Sequence, residues 1–549
     1  MKIKTLTLVV ILFLQNSLYA QNNSIDKQQE KPKLVIGIVV DQMRADYVYR
    51  YWNKYGNNGF KKLVNQGFIF KNNHYNYIPT YTAPGHASIF TGTSPMNHGI
   101  IANEWFDKQT AETIYCVSDP GVSPVGTTSK AGAMSPHRLK STTITDENRL
   151  SSQFRGKTIG IALKDRSAIL PAGHTANAAY WFHGENEGKW ITSSYYMQKL
   201  PKWVTKFNNS RKVDEYLKVW DTYYDIESYT ESGPDINNFE KGFKGKETAS
   251  FPYDLKALKA KNGGYDILKS VAYGGDLTTD FAIAAIDGEK LGQGENTDFL
   301  TISYSNTDYI GHNFGVNSKE LQDAYIRLDL NIATLIDHLD KQVGKGKYTL
   351  FLTSDHGAAE VPSYLESVKI PAYNFNTGAM RNALKTYLEE KYGIANLISN
   401  VSNNQIFFNH SALRNAKINA KDLERDVAEF VLATDMVDKV YVRSQMLNGY
   451  YNSGIASMLQ NGYDHNRSGD VLYILEPGTI PTVVKKGTTH GSGHTYDTHV
   501  PLIFYGHGVK HGSTSEYTSI VDIAPTVSNL LNIPNPNGVS GQPLFQLLD

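Results

Sequence analysis

At 549 residues the chain is long enough for three or four ordinary domains, or for one large α/β unit with insertions, at roughly 150 residues per domain. Hydrophobic residues make up 40% and charged residues 20%, so a sizeable core can be buried and wholesale disorder is excluded. Lys+Arg and Asp+Glu each number 54, which leaves no basic field for general nucleic-acid binding. The single cysteine, Cys116, excludes a disulfide framework, a multi-cysteine zinc site and an iron–sulfur cluster held by this chain alone.

Residues 1–20 read as a signal peptide. Lys2 and Lys4 precede a mostly apolar run, Leu6–Leu14, that is too short to span a bilayer, and Leu18-Tyr19-Ala20 puts a small residue at the cut. No later stretch is long and apolar enough to span either. The mature chain is therefore expected in a periplasm, or secreted, without stable membrane insertion. Residues 21–33, polar and charged, form a tether.

The first strand, Leu34–Val40, is apolar on both faces, as a central parallel strand is, and runs into Asp41. In Pro79–Ser88 a hydroxyl, Thr82, stands just before Pro84-Gly85 and the start of a helix of small residues. The stretch 105–295, of weak periodicity and rich in Tyr, Asn, Gly and Lys, reads as a cap insertion. Phe299–Tyr304 is a second buried strand leading to Asp308. Ser318 caps a helix whose Leu321, Ala324, Tyr325, Leu328, Ile332 and Leu335 form one core-facing stripe. Tyr348–Thr353 runs into Asp355-His356. A second cap insertion, 360–485, precedes His490 and the strand Val500–Tyr505, and Asp522–Leu531 is a last helix stopped by Pro534 and Pro536. Buried strands with helices between them specify an α/β fold with a mostly parallel sheet, whose site lies at the strands' C-terminal ends.

Those ends carry the chemistry. Asp308 and His312, four apart on a helical turn, face one way and can bite one ion. Asp355-His356 is an adjacent pair, Asp41 a third carboxylate, and His490, in Thr489–His494, a further imidazole. Each alone is ordinary: an Asp–His pair at a surface, or a hydrogen bond along a helix face. Three Asp and three His on one rim point to two metal ions, and oxygen and nitrogen ligands without thiolates suit zinc with an open coordination position. A threonine at a helix start is by itself a cap. Beside metals, Thr82 becomes a candidate nucleophile, because its hydroxyl needs a metal or base to be deprotonated, and free helix N–H groups favour an anion there.

The set Asp41, Thr82-x-Pro-Gly-His86, Asp308-x-x-x-His312, Asp355-His356-Gly357 and His490-Gly-Ser resembles the alkaline phosphatase superfamily of two-zinc hydrolases, over about residues 34–549 and in the expected order. Asn103, with Lys164-Asp165-Arg166, is similar to the exported, phosphate-insensitive bacterial alkaline phosphatases that use a threonine nucleophile. The resemblance implies one catalytic domain, a three-layer α/β/α sandwich with a mostly parallel sheet and cap insertions. It implies two zinc ions, Asp41, Thr82, Asp355 and His356 holding one and Asp308, His312 and His490 the other. Asn103, Lys164 and Arg166 would hold phosphoryl oxygens while a monomer hydrolyses small-molecule phosphate monoesters through a phosphothreonine at Thr82. His494, four residues after His490, is the alternative last ligand; the His-Gly-Ser triplet favours His490.

A Lys-x-Arg pair suits a monoester dianion, with its three non-bridging oxygens, better than a diester with one charge and a second ester arm. A phosphodiesterase or nucleotide pyrophosphatase on the same scaffold is the alternative reading. A sulfatase is rejected, since Cys116-Val117-Ser118-Asp119-Pro120 does not fit its Cys-x-Pro-x-Arg motif. A non-catalytic exported binder, offering the 35 Tyr and 22 Phe as an aromatic surface, is the more distant alternative.

Overall fold

Leu34–Val40 (β1) lies in the middle of a ten-stranded sheet with parallel neighbours on both sides. The computed structural model describes residues 30–548, so the expected signal peptide and residues 21–29 of the tether lie outside the described residues. The other strands are Phe68–His74 (β2), Pro124–Val125 (β3), Thr158–Ala162 (β4), Ala178–His183 (β5), Lys189–Ser193 (β6), Asp298–Tyr304 (β7), Tyr348–Thr353 (β8), Leu502–Gly506 (β9) and Gly512–Ser519 (β10). Their spatial order is β10-β2-β9-β8-β1-β7-β4-β5-β6-β3. The run β8-β1-β7-β4-β5 is parallel throughout.

Alternation along β1 divides two cores. Leu34, Ile36, Ile38 and Val40 join Leu277, Phe281, Leu328, Ile332 and Leu335 on one face; Val35 and Val39 join Ile89, Phe90, Ile523 and Val527 on the other. Each of these fully buried apolar side chains contributes about 1.5–3 kcal/mol. The helices behind the first face are Tyr273–Glu289 and Lys319–Leu339, and those behind the second are Thr82–Thr91 and Ile523–Leu531. The fold is thus the expected three-layer sandwich. Ser318 caps Lys319–Leu339 by accepting from Leu321 N at 3.2 Å, and the whole predicted stripe is buried.

Two expectations change. The stretch 105–295, read as a cap, supplies β3 to β6 and the helix Tyr273–Glu289 to the sandwich itself. Its strands are two to six residues long and β4 is interrupted by Gly160, so their periodicity is swamped by the loops between them. The stretch 360–485 does form a separate unit. Its four-stranded sheet, ordered Ile398–Ser402, Gln405–Phe408, Val471–Leu475 and Val437–Val442, has its own core around Leu384, Ile406, Leu423 and Val427.

The second change concerns direction. β9 runs antiparallel to β8, with Leu502 opposite Thr353. The start of β9, not its end, therefore meets the end of β8, which brings the His490 loop to the rim holding Asp355. β7 and β8 straddle β1, making a switch point where such sheets open a crevice.

Candidate active site

Asp308 enters from the first turn of the helix Asn306–Phe314, just after β7, and His312 follows one turn later. His312 Nε2 lies 3.1 Å from Asp308 Oδ1, and His490 Nε2 lies 3.7 Å from the same oxygen. Asp41, Asp308 and His356 form an adjoining group, and ligand atoms within each group fall within 4.8 Å of one another. His356 Nε2 is 3.5 Å from Asp41 Oδ1, from Asp355 Oδ2 and from Thr82 Oγ1. All seven residues of the favoured ligand set, Asp41, Thr82, Asp308, His312, Asp355, His356 and His490, lie in this cluster. His494 does not; its Nε2 approaches the Leu475 carbonyl at 3.3 Å instead.

The three imidazoles are aimed by the backbone. His312 Nδ1 lies 2.8 Å from Thr488 O, His490 Nδ1 2.8 Å from Thr80 O, and His356 Nδ1 2.9 Å from Gly357 O. A carbonyl only accepts, so each Nδ1 carries the hydrogen and each Nε2 turns a lone pair into the cluster, as metal-ligating histidines are oriented. Burial, and His356 beside it, push His490 well below the ordinary imidazole range, and burial lowers His356. The direction is the one ligation requires, since a metal takes the neutral imidazole.

Three buried carboxylates face one ammonium. Lys164 Nζ donates to Asp41 Oδ2 at 2.8 Å and to Asp308 Oδ2 at 2.6 Å. Against the cost of burial, His312 and Lys164 hold Asp308 well below the carboxylate range, and His356 and His86 do the same for Asp355. Burial and the neighbouring Asp355 push Asp41 up. Asp41 Oδ1 and Asp355 Oδ2 are buried with no hydrogen-bond partner. Leaving such oxygens bare costs about 1–3 kcal/mol each, more when charged. Divalent cations would satisfy both, and the N/O donor set fits zinc.

Thr82 opens the helix Thr82–Thr91, but Tyr81 is its N-cap residue, and Thr82 Oγ1 faces His356 instead of capping. A Cβ at Gly85 would collide with the Asp355 carbonyl, so only glycine lets this helix lie against the end of β8. Asn103 Oδ1 accepts from Ala83 N at 2.8 Å, which turns its NH2 away from the helix start as a donor. Lys164 and Arg166 flank the start of the helix Asp165–Ala172, and Arg166 Nη1 reaches Tyr115 Oη at 3.1 Å.

Two contributors had no role assigned from the sequence, although His86 stands in the motif that begins at Thr82. Gln42 N donates to Asp355 Oδ1 at 3.1 Å and its Nε2 donates to Asp308 Oδ1 at 2.7 Å. His86 Nδ1 lies 2.8 Å from Thr82 O and 3.4 Å from Asp355 Oδ2, with Nε2 3.0 Å from Ser303 Oγ. His86 had a usable signal: four residues after Thr82 on a helix, it can reach back to that carbonyl. Gln42 had none.

This fold and this cluster are those of a hydrolase of the alkaline phosphatase superfamily with a candidate metal site. The chain belongs to the type I phosphodiesterase / nucleotide pyrophosphatase family, whose model matches residues 35–500. It is 46% identical over 530 residues, 95% of each chain, to a protein of Myroides odoratus named a calcium-transporting ATPase. It is 43% identical over 522 residues, 94% of this chain and 95% of the other, to the alkaline phosphatase PafA of Elizabethkingia meningoseptica. The crystal structure of wild-type PafA superposes with a TM-score of 0.92 at 42% identity, covering 95% of this chain and 99% of that one.

Proposed function

We infer that this chain is an alkaline phosphatase that hydrolyses phosphate monoesters to inorganic phosphate and an alcohol through a phosphothreonine at Thr82, with two zinc ions. Export by residues 1–20 to a periplasm belongs to the same reading. The observation that carries it is the meeting of Thr82 Oγ1 with His356 beside two bare carboxylate oxygens, at a helix start. Asp41, Thr82, Asp355 and His356 would hold one ion, and Asp308, His312 and His490 the other. Bound zinc supplies Lewis acidity, favouring the deprotonated threonine and offsetting charge on the leaving oxygen.

The chain's own groups do the rest. As the Thr82 Oγ–phosphorus bond forms, the bond from phosphorus to the ester oxygen breaks and the alcohol leaves; water then breaks the Thr82 ester and frees phosphate. Charge spreads over the equatorial oxygens during transfer, so positioning and electrostatics dominate. Lys164 has three donors and spends two on Asp41 and Asp308, leaving one for a phosphoryl oxygen. Arg166 offers a planar fork and Asn103 a neutral N–H.

The family model also describes phosphodiesterases, and the Lys164–Arg166 pair, suited to a dianion, favours monoesters over that alternative. The terminal phosphoryl of a nucleotide is a similar dianion, so ATP hydrolysis would need no other site. Among the described residues no helix is long and apolar enough to cross a membrane. Metal analysis of the purified protein, with turnover compared on an aryl phosphate monoester and its bis-aryl diester, tests the reading. Two zinc ions and a monoester preference are expected; a strong diester preference refutes it.

A further inference from the structure

Tyr115 has no part in the mechanism above, yet its hydroxyl bridges Arg166 and Asp165. It donates to Asp165 Oδ1 and accepts from Arg166 Nη1 at 3.1 Å, and the same carboxylate oxygen accepts from Arg166 N at 2.6 Å. Among the described residues this is the one hydrogen bond the guanidinium makes, and Arg166 Nε is buried without a partner. Burial and the adjacent Asp165 push the Tyr115 phenol well above its ordinary range, so it keeps its proton.

The element carrying Tyr115 also carries Asn103. Glu104–Phe106 pairs antiparallel with Thr113–Tyr115, Glu104 opposite Tyr115, and Cys116 N closes the ladder onto Asn103 O at 2.9 Å. One end of this hairpin therefore holds both anchors of the phosphoryl donors. Asn103 is locked to the nucleophile's helix through Ala83 N, and Arg166 is locked to Tyr115. A free arginine would have to be ordered by each substrate, at the expense of binding; a tethered one meets the phosphoryl group already oriented.

We propose that Tyr115, with Asp165, is a positioning residue that sets monoester-over-diester selectivity by holding the Arg166 fork on the same hairpin that presents Asn103. The proposal rests on the assignment of Arg166 to the phosphoryl dianion. Steady-state kinetics on an aryl phosphate monoester and its bis-aryl diester, for wild type, Tyr115→Phe, Arg166→Ser and the double variant, tests it. Tyr115→Phe is expected to lower monoester kcat/KM about tenfold, as small misplacements of binding groups do. It should lower the diester value less than about twofold, and cost less than about twofold more once Arg166 is serine. The diester rate of the same sample reports that the variant is folded, and Asp165→Asn should shift the ratio in the same direction. Equal losses on both esters, or full losses that multiply in the double variant, overturn the role of Tyr115. If Arg166→Ser leaves the monoester-to-diester ratio at its wild-type value, the assignment of Arg166 itself fails and takes this one with it.

Discussion

Gln42 holds a left-handed backbone, φ 66°, a conformation that costs a non-glycine residue about 1–3 kcal/mol. Two carboxylates repay it, Asp355 through the backbone N–H and Asp308 through the side-chain amide. The close approach also explains Gly311, where a Cβ would strike the Gln42 amide oxygen. Because one bond is made by the main chain and the other by the side chain, substitution should separate them. Gln42→Ala keeps the contact to Asp355 and frees Asp308, so one of the two proposed zinc equivalents should bind about 10–100-fold more weakly, the usual cost of removing an outer partner. Competition with a chromophoric chelator measures this; equal weakening of both equivalents, or of neither, contradicts it. Such a residue is invisible in sequence. Asp308 lies 266 positions away, and a side-chain amide next to Asp41 is not among the usual zinc ligands. Asp308 and His312 were legible for the opposite reason: their spacing is local, and one helical turn aligns them.

At the scale of elements, legibility followed strand length and burial. β1, β7 and β8 are six or seven residues long and apolar on both faces, and each leads directly toward its ligand. Of β3 to β6, β3 is two residues long, β4 is interrupted by Gly160 and all four lie among loops that mask them, so their signal was weaker; the antiparallel course of β9 is a matter of pairing that no local pattern encodes. The helix Thr82–Thr91 joins these levels, since its distance from β8 sets the distance from Thr82 to His356. That distance is kept short by the missing side chain at Gly85. Gly85→Ala is expected to push the helix off the Asp355 carbonyl, destabilising the protein by about 1–3 kcal/mol as overpacking does. Turnover should fall further than stability alone explains, because the Thr82 hydroxyl moves with the helix. Thermal denaturation alongside kcat on a monoester tests this; a variant with unchanged stability and turnover would show that the helix has room to spare.

At the scale of the whole molecule, a second group of buried acids sits apart from the metal-ligand cluster. Glu240 accepts from Asn237 Nδ2 at 2.6 Å and Glu320 from Tyr253 Oη at 2.5 Å, and each keeps one buried oxygen without a partner. Burial pushes both acids up. Glu320 and Asp235 add to the effect at Glu240, where Lys486 opposes it; Asp235 and Asp323 add to it at Glu320, where the Tyr253 bond opposes it. The pair therefore keeps a proton at neutral pH that the unfolded chain, with ordinary glutamates near pH 4.3, has already lost. A raised folded-state pKa means that the folded protein binds more protons, so its stability falls as pH rises through that range. The fall is at most about 1.4 kcal/mol per pH unit for each proton involved. Residues 239–241 connect this pair to the active site, Lys241 N donating to the carbonyl of Asn313, next to His312, at 2.8 Å and Gly487 N to Phe239 O at 2.7 Å. Glu320→Gln removes one of the two titrating acids while keeping the side chain's shape. Its melting temperature, measured on metal-loaded protein from about pH 6 to about pH 9, should decline less steeply than that of wild type. Parallel curves would mean that Glu320 holds no extra proton in the folded state and that alkaline conditions act on the fold elsewhere.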